Sequence, residues 1–128
     1  MTLRTELEFI RAYSFLLKIR FENKFDLRLR LEEKILDTRK IAPLTLQLLV
    51  ENAVKHNRMS AREPLVVEVL AKDDILFVRN ALQPRPKPES STGTGLKNII
   101  SRYALLTDRA VEAGKTADGF FEVKIPLL

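Results

Sequence analysis

Polar side chains with metal-binding and anion-binding chemistry recur at helical spacing in the middle of the chain. Lys55 and His56 follow Asn52 by three and four residues, so on a helix each points to the same side as Asn52. An amide oxygen can ligate Mg²⁺, which prefers hard oxygens and usually keeps waters and phosphates as its other ligands. A neighbouring ammonium group can offset phosphate charge. The pattern therefore favours a site for a phosphorylated ligand and its metal.

The same spacing is also typical of the solvated face of an amphipathic helix. Glu51 and Lys55 would then form an i, i+4 pair that stabilises the helix, and a lone histidine is most often a plain surface residue. Leu48 interrupts the polar face, which favours a covered face over a bare one. Spacing alone leaves both interpretations open.

A second candidate is the sequence Gly93-Thr94-Gly95, which opens a helical pattern. Glycines let backbone N–H groups approach a phosphate, and a helix N-terminus adds unpaired donors and the positive end of the helix dipole. Glycine pairs before helices are common in ordinary turns, but this pair follows a Pro- and Ser-rich stretch, residues 83–92. We interpret that stretch as a flap over a phosphate site.

Other site classes are excluded by the composition and the motifs. There is no cysteine and one histidine, so thiolate metal sites are excluded and no hydrolase triad can be built around the histidine. Neither a Walker-type loop nor a Rossmann glycine fingerprint occurs. The net charge of +5 is spread without a basic run, which argues mildly for anionic ligands and against nucleic acid.

Helices and strands that would position these residues follow from apolar periodicity. A helix is predicted over 2–22 with Thr2 as N-cap, another from Pro43, placed in its first turn, to about Asn57, and a third from Leu96. Strands are predicted over 25–31, 64–71, 75–79, 110–113 and 121–125, and a charged connection over 32–40.

Turn residues complete the predicted topology. The Lys72-Asp73-Asp74 sequence is a hairpin signal, and Gly114 together with Asp118-Gly119 predicts a turn region near the end. The order helix, strand, helix, strand, strand, flap, helix, strand, strand predicts an α+β fold: a two-layer sandwich with helices on one face of a mixed, largely antiparallel sheet.

The size and composition allow one domain. With 128 residues and 45% apolar content, the chain can form one core but hardly two. Phe9, Leu16 and Ile19 widen the apolar surface of the first helix beyond one stripe. That helix either packs on its own domain alone or is shared with a missing segment or a second subunit. The longest apolar runs are short, and no leader pattern is present, so the chain is expected to be cytoplasmic.

Two of these stretches resemble the motifs of a known family. Residues 41–56, with Gln47 and the Leu-Val-Glu-Asn-Ala-x-Lys-His core, resemble the N box of the LytS-type sensor histidine kinases. Residues 92–99, followed by Arg102-Tyr103, resemble their second glycine box. The lead-in, with Glu6-Leu7-Glu8, Tyr13 and Arg20-Phe21, is similar to the family's segment between the dimerisation helices and the ATP-binding domain.

The resemblance implies a GHKL-type (Bergerat) ATP-binding fold with ATP and Mg²⁺ as ligands. Asn52 would ligate Mg²⁺, with Glu51 in the metal shell as a catalytic residue, and Lys55 and His56 would lie near the phosphates or ribose. Residues 83–92 would be the ATP lid. The remaining nucleotide-binding residues implied by the resemblance are Asn80, Gly93, Thr94, Gly95 and Leu96.

Two departures from the family pattern bear on this expectation. Asn80 stands where the family has an aspartate that accepts from the adenine amino group; its amide keeps one acceptor oxygen but lacks charge assistance. Leu82 and Pro84 replace glycines and restrict the backbone. In addition, no residue before Leu3 supplies the histidine that such kinases phosphorylate.

We therefore expect residues 1–22 to join a missing upstream dimerisation segment and residues 23–128 to form the ATP-binding catalytic domain, within a single domain overall. Its predicted activity is transfer of the ATP γ-phosphoryl group to a histidine of the upstream segment, for relay to a response regulator. The full-length protein is expected to be a membrane-anchored homodimer. The alternative is a non-catalytic signalling or dimerisation module of the same fold.

Overall fold

The computed structural model describes residues 1–84 and 94–128. They form a two-layer α+β sandwich, so the predicted fold class is confirmed. The five strands form one sheet in the order β1-β2-β3-β5-β4, in which β1 and β2 are parallel and the other pairs are antiparallel. The elements are α1 (Leu3–Arg20), β1 (Phe25–Arg30), α2 (Glu33–Leu36), α3 (Thr45–His56), β2 (Leu65–Lys72), β3 (Ile75–Ala81), α4 (Thr94–Leu106), β4 (Glu112–Lys115) and β5 (Phe120–Pro126).

One face of the sheet packs against the helices and carries the core. Successive side chains of a strand point to opposite faces, so Val67 and Val69 of β2 face the helices and are fully buried. The opposite face is charged: Glu68, Arg79 and Glu122 lie in register on neighbouring strands, and Arg79 pairs with Glu122 at 3.7 Å. The core therefore lies on one side of the sheet only.

The helix α1 has two apolar faces, and only one of them packs into the core. Thr2 caps its first turn, since its hydroxyl accepts from the backbone N–H of Thr5 at 3.3 Å, as predicted. The inward stripe belongs to the same core as the sheet and consists of Leu3, Leu7, Ile10 and Leu17. The outward stripe is exposed by 56 to 63% and consists of Phe9, Phe15, Leu16 and Ile19.

The start of α3 differs from the prediction. Pro43 lies in a turn, and the helix begins two residues later, at Thr45. The N-cap residue is Leu44, whose φ of 66° is in the left-handed region and whose side chain forms no cap hydrogen bond. The carboxylate of Glu6 replaces that cap, accepting from the N–H groups of Leu44 at 3.3 Å and Leu46 at 3.2 Å. A residue 40 positions away cannot be recognised as a cap from local sequence.

Smaller differences concern the connections. The charged connection over 32–40 contains the short helix α2, and Gly114 lies within β4, so the turn at the end of the chain is formed by residues 116–119 instead, with Gly119 at a φ of 86°. The predicted hairpin is confirmed: Asp73 and Asp74, at φ of 53° and 64°, join β2 to β3 in the conformation that two-residue hairpin loops require.

Candidate functional site

A cavity of about 390 Å³ lies between α3 and the helix-facing side of the sheet, within the range of roughly 300–1,000 Å³ typical of small-molecule sites. Its walls are mostly apolar, formed by Leu49, Ala53, Val78, Leu82, Pro84, Phe121 and Val123. The polar groups on its lining belong to Asn52, His56, Asn57, Asn80 and Lys115. An apolar slot with a few convergent polar groups suits a planar, hydrogen-bonding ligand.

The helix α3 contributes Asn52 and His56 to this cavity, as predicted from their i, i+4 spacing. Lys55 is exposed and does not line the cavity. The reason is angular: at about 100° per residue, the directions of Lys55 and His56 differ by about 100°. The prediction that all three side chains point into one volume is therefore wrong for Lys55. Its role near the phosphates remains a prediction.

Glu51 lies on the α1 side of α3. Its carboxylate accepts from the side-chain amide of Gln47 at 3.3 Å. Burial raises the pKa of Tyr13 in α1, and the neighbouring Glu51 carboxylate raises that pKa further. Glu51 is not among the residues that line the cavity, and its predicted part in a metal shell remains a prediction.

Asn80 lines the cavity and is 4% exposed. Its amide nitrogen donates to the carbonyl of Ala81 at 2.9 Å, which fixes the orientation of the amide group. Among the residues that the structure describes, none donates to the Asn80 Oδ1. An acceptor on the cavity lining that the described residues leave without a donor is suited to a donor on a ligand.

A hydrogen-bond network holds the cavity rim together. The Asn57 Oδ1 accepts from the backbone N–H of Gln83 at 2.9 Å, and the Asn57 amide nitrogen donates to the carbonyl of Ala53 at 2.9 Å. The Gln83 side chain in turn donates to the carbonyl of Glu63 at 3.2 Å. The end of α3 is thereby linked to the chain after β3.

The predicted lid, residues 83–92, is only partly described. Gln83 and Pro84 lie at the cavity rim, and residues 85–92 lie outside the described residues.

The helix α4 is anchored to the start of α3. The Tyr103 hydroxyl accepts from the backbone N–H of Ala42 at 3.0 Å, and Arg102 donates to the carbonyl of Pro43 at 2.6 Å. The C-terminal half of α4 therefore lies beside the N-terminus of α3. The two helices also pack against each other.

The predicted glycine box is only partly placed. Gly93 lies outside the described residues, and Thr94 and Gly95 begin α4. A Cβ added to Gly95 would meet no atom of residues 1–84 and 94–128 within 4 Å, so packing within those residues does not itself require glycine there. Leu96 is half-buried and packs against the core.

The described residues of the cavity offer few ligands for a metal ion. Within residues 1–84 and 94–128, no group of three or more His, Cys, Asp or Glu residues could hold a metal. The amide oxygen of Asn52 is a hard ligand at the cavity, and Mg²⁺ is commonly bound by one or two protein oxygens plus phosphates. The donor set fits Mg²⁺ that arrives with a phosphorylated ligand.

Sequence reasoning missed Lys115, Asn57 and Phe121 as cavity residues. Lys115 and Phe121 come from the last two strands, which pair with each other. The final strand, β5, lies between β3 and the edge strand β4. The alternation of β5 was a signal for Phe121, but nothing local indicates that β5 lies beside Asn80 and β4 beyond it.

Comparison with known proteins adds to this geometry. No protein-family model matches the sequence. The chain is 28% identical over 140 residues to the sensor histidine kinase/phosphatase LytS of several Staphylococcus aureus strains, which covers 91% of the chain and 24% of LytS. Among solved structures, the cytoplasmic segment of histidine kinase QseC matches with a TM-score of 0.59 and 27% identity, over 96% of this chain and 75% of that one. The chain is thus similar in sequence to sensor histidine kinases and similar in fold to their catalytic segments.

The fold is also that of the catalytic domain of histidine kinase ThkA, at a TM-score of 0.58 and 18% identity over 98% of this chain and 94% of that one. The similarity to these histidine kinases supports nucleotide binding in general terms. The chain spans about a quarter of the length of the LytS relatives, 24%. Among its described residues, no helix has the length and apolar character to cross a bilayer.

Proposed function

We propose that the cavity binds ATP with Mg²⁺ and that the domain presents the γ-phosphoryl group to a histidine held by an upstream dimerisation segment. The observation that carries the proposal is the convergence of Asn52, His56 and Asn80 on one apolar cavity. The N box and the end of β3 are far apart in sequence, and a nucleotide needs both: an apolar slot for its base and a hard oxygen for its metal.

The base would occupy the apolar part of the cavity. Val78 and Phe121 line its sheet side and Leu49 its helix side, which suits the two faces of a purine. Asn80 supplies an acceptor on the cavity lining for the exocyclic amino group of adenine. Because this acceptor is neutral, its hydrogen bond is weaker than that of the aspartate typical of the family.

The phosphates would extend along α3 toward the first turn of α4. Asn52 would ligate Mg²⁺, and His56 would lie beside the phosphates or ribose. Lys55 and Glu51 stay in the proposal as residues that act after a change of side-chain rotamer, since they do not line the cavity. Residues 83–92 would be the lid and Gly93, Thr94, Gly95 and Leu96 its phosphate-binding end.

The domain would contribute positioning and electrostatic stabilisation to in-line phosphoryl transfer. Mg²⁺, when bound, would neutralise charge on the phosphate oxygens. The nucleophile would come from the upstream segment of a homodimer, and the phosphoryl group would pass to a response regulator. We place the domain in the cytoplasm, as the QseC segment is described, with a parent protein anchored in the membrane. Residues 1–22 would connect it to the dimerisation segment.

Titration calorimetry with Mg-ADP and a non-hydrolysable ATP analogue tests the proposal. Asn52→Ala should abolish the Mg²⁺-dependent part of binding and leave thermal unfolding unchanged, because Asn52 is only half-buried. Asn52→Asp, which keeps a metal-ligating oxygen, should retain it. Unchanged affinity of Asn52→Ala would remove that residue from the site.

A second candidate is a non-catalytic module of the same fold that binds nucleotide weakly or not at all. Leu82 and Pro84 favour this candidate. They line the cavity at positions where the family has glycines, and their side chains would narrow the space for a base. The same titrations decide between the two, since no heat at near-millimolar nucleotide would favour the non-catalytic module.

A further inference from the structure

Lys115 reaches the cavity from β4, at the edge of the sheet. β4 pairs with β5 so that Lys115 lies opposite Phe121, and Phe121 lies opposite Asn80 of β3. The three residues form one row on the helix-facing side, and all three line the cavity. With neighbouring strands about 4.8 Å apart, the backbones of Lys115 and Asn80 are roughly 10 Å apart.

The side chain of Lys115 forms neither an ion pair nor a hydrogen bond within the described parts of the chain. Lys124, on the next strand and the opposite face, is by contrast paired with Glu112 at 3.7 Å and lies 5.9 Å from the ring centre of Phe77. An ammonium group has three donors and no acceptor. Unused donors are therefore available at the cavity wall.

The row has an acceptor at one end and a donor at the other. Asn80 offers Oδ1, because its amide nitrogen is engaged by Ala81, and Lys115 offers N–H groups, with the apolar ring of Phe121 between them. Adenine complements this order, since it has an amino donor and ring-nitrogen acceptors on its edges. Guanine carries a carbonyl oxygen in place of that amino group and would set two acceptors against each other.

We propose that Lys115 recognises the base: its Nζ donates to a ring nitrogen of adenine while the Asn80 Oδ1 accepts from the exocyclic amino group. The inference rests on the proposed function, because it takes an adenine nucleotide as the ligand. It adds a residue from outside both sequence motifs to the determinants of base selectivity, and it assigns Lys115 to the base rather than to the phosphates.

Calorimetry on the whole domain with adenosine, Mg-ADP, Mg-GDP and inorganic tripolyphosphate tests this assignment. Lys115→Met should lower the affinities for adenosine and for Mg-ADP by the same factor, about tenfold, which is about 1.4 kcal/mol. It should also reduce the ratio of the Mg-ADP affinity to the Mg-GDP affinity. Tripolyphosphate binding should not change. Lys115→Arg, which keeps a charged donor, should retain most of the affinity, and Lys124→Met, on the opposite face, should bind as the wild type does.

Two results would overturn the inference while leaving the proposed function intact. One is that Lys115→Met loses affinity for Mg-ADP and tripolyphosphate but not for adenosine, which would assign Lys115 to the phosphates. The other is unchanged binding of adenosine and Mg-ADP by Lys115→Met. Failure of the wild-type domain to bind any adenine nucleotide would instead contradict the proposed function and this inference with it. Lys115 is exposed, so its variants should fold, which thermal unfolding checks.

Discussion

The carboxylate of Glu6 accepts a hydrogen bond from the backbone N–H of Leu46 at 3.2 Å, which joins α1 to the first turn of α3. Glu6 is 2% exposed. Its negative charge faces the N-terminus of α3, where backbone N–H groups lack intrahelical partners and the helix dipole is positive. The helix that carries Asn52 and His56 is therefore positioned from the opposite end by a side chain of α1.

Removal of this cap should destabilise the domain. Glu6→Ala leaves the buried N–H of Leu46 and the partly buried N–H of Leu44 without their acceptor, and we expect the free energy of unfolding to fall by about 2–3 kcal/mol. Glu6→Gln, which keeps one acceptor oxygen, should lose less. Urea unfolding measures both, with Glu8→Ala as control because Glu8 is exposed on the same helix. Equal effects of Glu6→Ala and Glu8→Ala would contradict the capping role.

The stability contribution of Glu6 should depend on pH. Burial raises the pKa of Glu6 above 4.5, although the hydrogen bonds from Leu46, Leu44 and Thr45 oppose the shift. A carboxyl with a raised pKa holds its proton more tightly in the folded state, so its contribution is most favourable below about pH 4.5 and decreases as pH rises through the folded pKa.

Wild type should therefore lose stability relative to Glu6→Gln as the pH rises from about 4.5 to above the folded pKa, and the difference should then level off. Chemical unfolding of both proteins over this range measures it. Comparison with the isosteric variant cancels the contributions of carboxyls with lowered pKa, such as Asp37 beside Arg4. A difference that does not change with pH would show that Glu6 titrates normally.

Neighbouring leucines of α1 should differ sharply in their contribution to stability. Leu17 is 4% exposed and Leu16 is 63% exposed. Leu17→Ala should lower the free energy of unfolding by about 2–4 kcal/mol, since it leaves a cavity in the core, whereas Leu16→Ala should change it by less than about 0.5 kcal/mol. Urea unfolding of the domain measures both. A large loss in Leu16→Ala would mean that the outward stripe is already covered in the isolated domain.

A carboxylate at position 80 should raise the affinity for Mg-ADP and lower the stability of the domain. Asn80→Asp supplies a charge-assisted acceptor, and we expect Mg-ADP to bind tighter by about 1 kcal/mol. Without ligand the same variant should lose about 1–3 kcal/mol of stability, since it buries a carboxylate and forfeits the hydrogen bond to Ala81. Calorimetry and urea unfolding measure the two effects. Asn80→Ala is the control, and an affinity of Asn80→Asp as low as that of Asn80→Ala would contradict base recognition here.

A methyl group at Gly95 should separate folding from phosphate binding. Gly95→Ala should stabilise α4 by about 0.5–1 kcal/mol, because alanine favours a helix and its Cβ would meet no atom of the described residues within 4 Å. Mg-ADP should nevertheless bind more weakly, with adenosine unaffected. Gly114→Ala, with equally open surroundings on β4, is the matched control. Equal losses for Mg-ADP and adenosine would contradict a phosphate role for this turn.

Local sequence patterns were sufficient to predict most of the helices and strands. The stripe from Leu3 to Leu17, the alternation of β2 and the Asp73-Asp74 turn each express a preference of a few consecutive residues, so the element order and the two-layer class could be predicted. The N box and the glycine pair could be recognised for the same reason: each motif is contiguous, and its spacing on a helix sets its relative directions.

Tertiary packing decided which of these directions face the cavity. Asn52 and His56 line it and Lys55 does not, because the helix spacing sets angles between side chains but not the rotation of α3 on the sheet. That rotation depends on contacts such as Glu6 with Leu46 and Tyr103 with Ala42, between residues 40 and 61 positions apart. The register that sets Lys115, Phe121 and Asn80 in one row is likewise a pairing of distant strands. The sequence by itself thus determined the elements and the two motifs, and only the tertiary structure decided the base end of the site, because strand register and helix rotation arise from packing between segments that carry no local signal for each other.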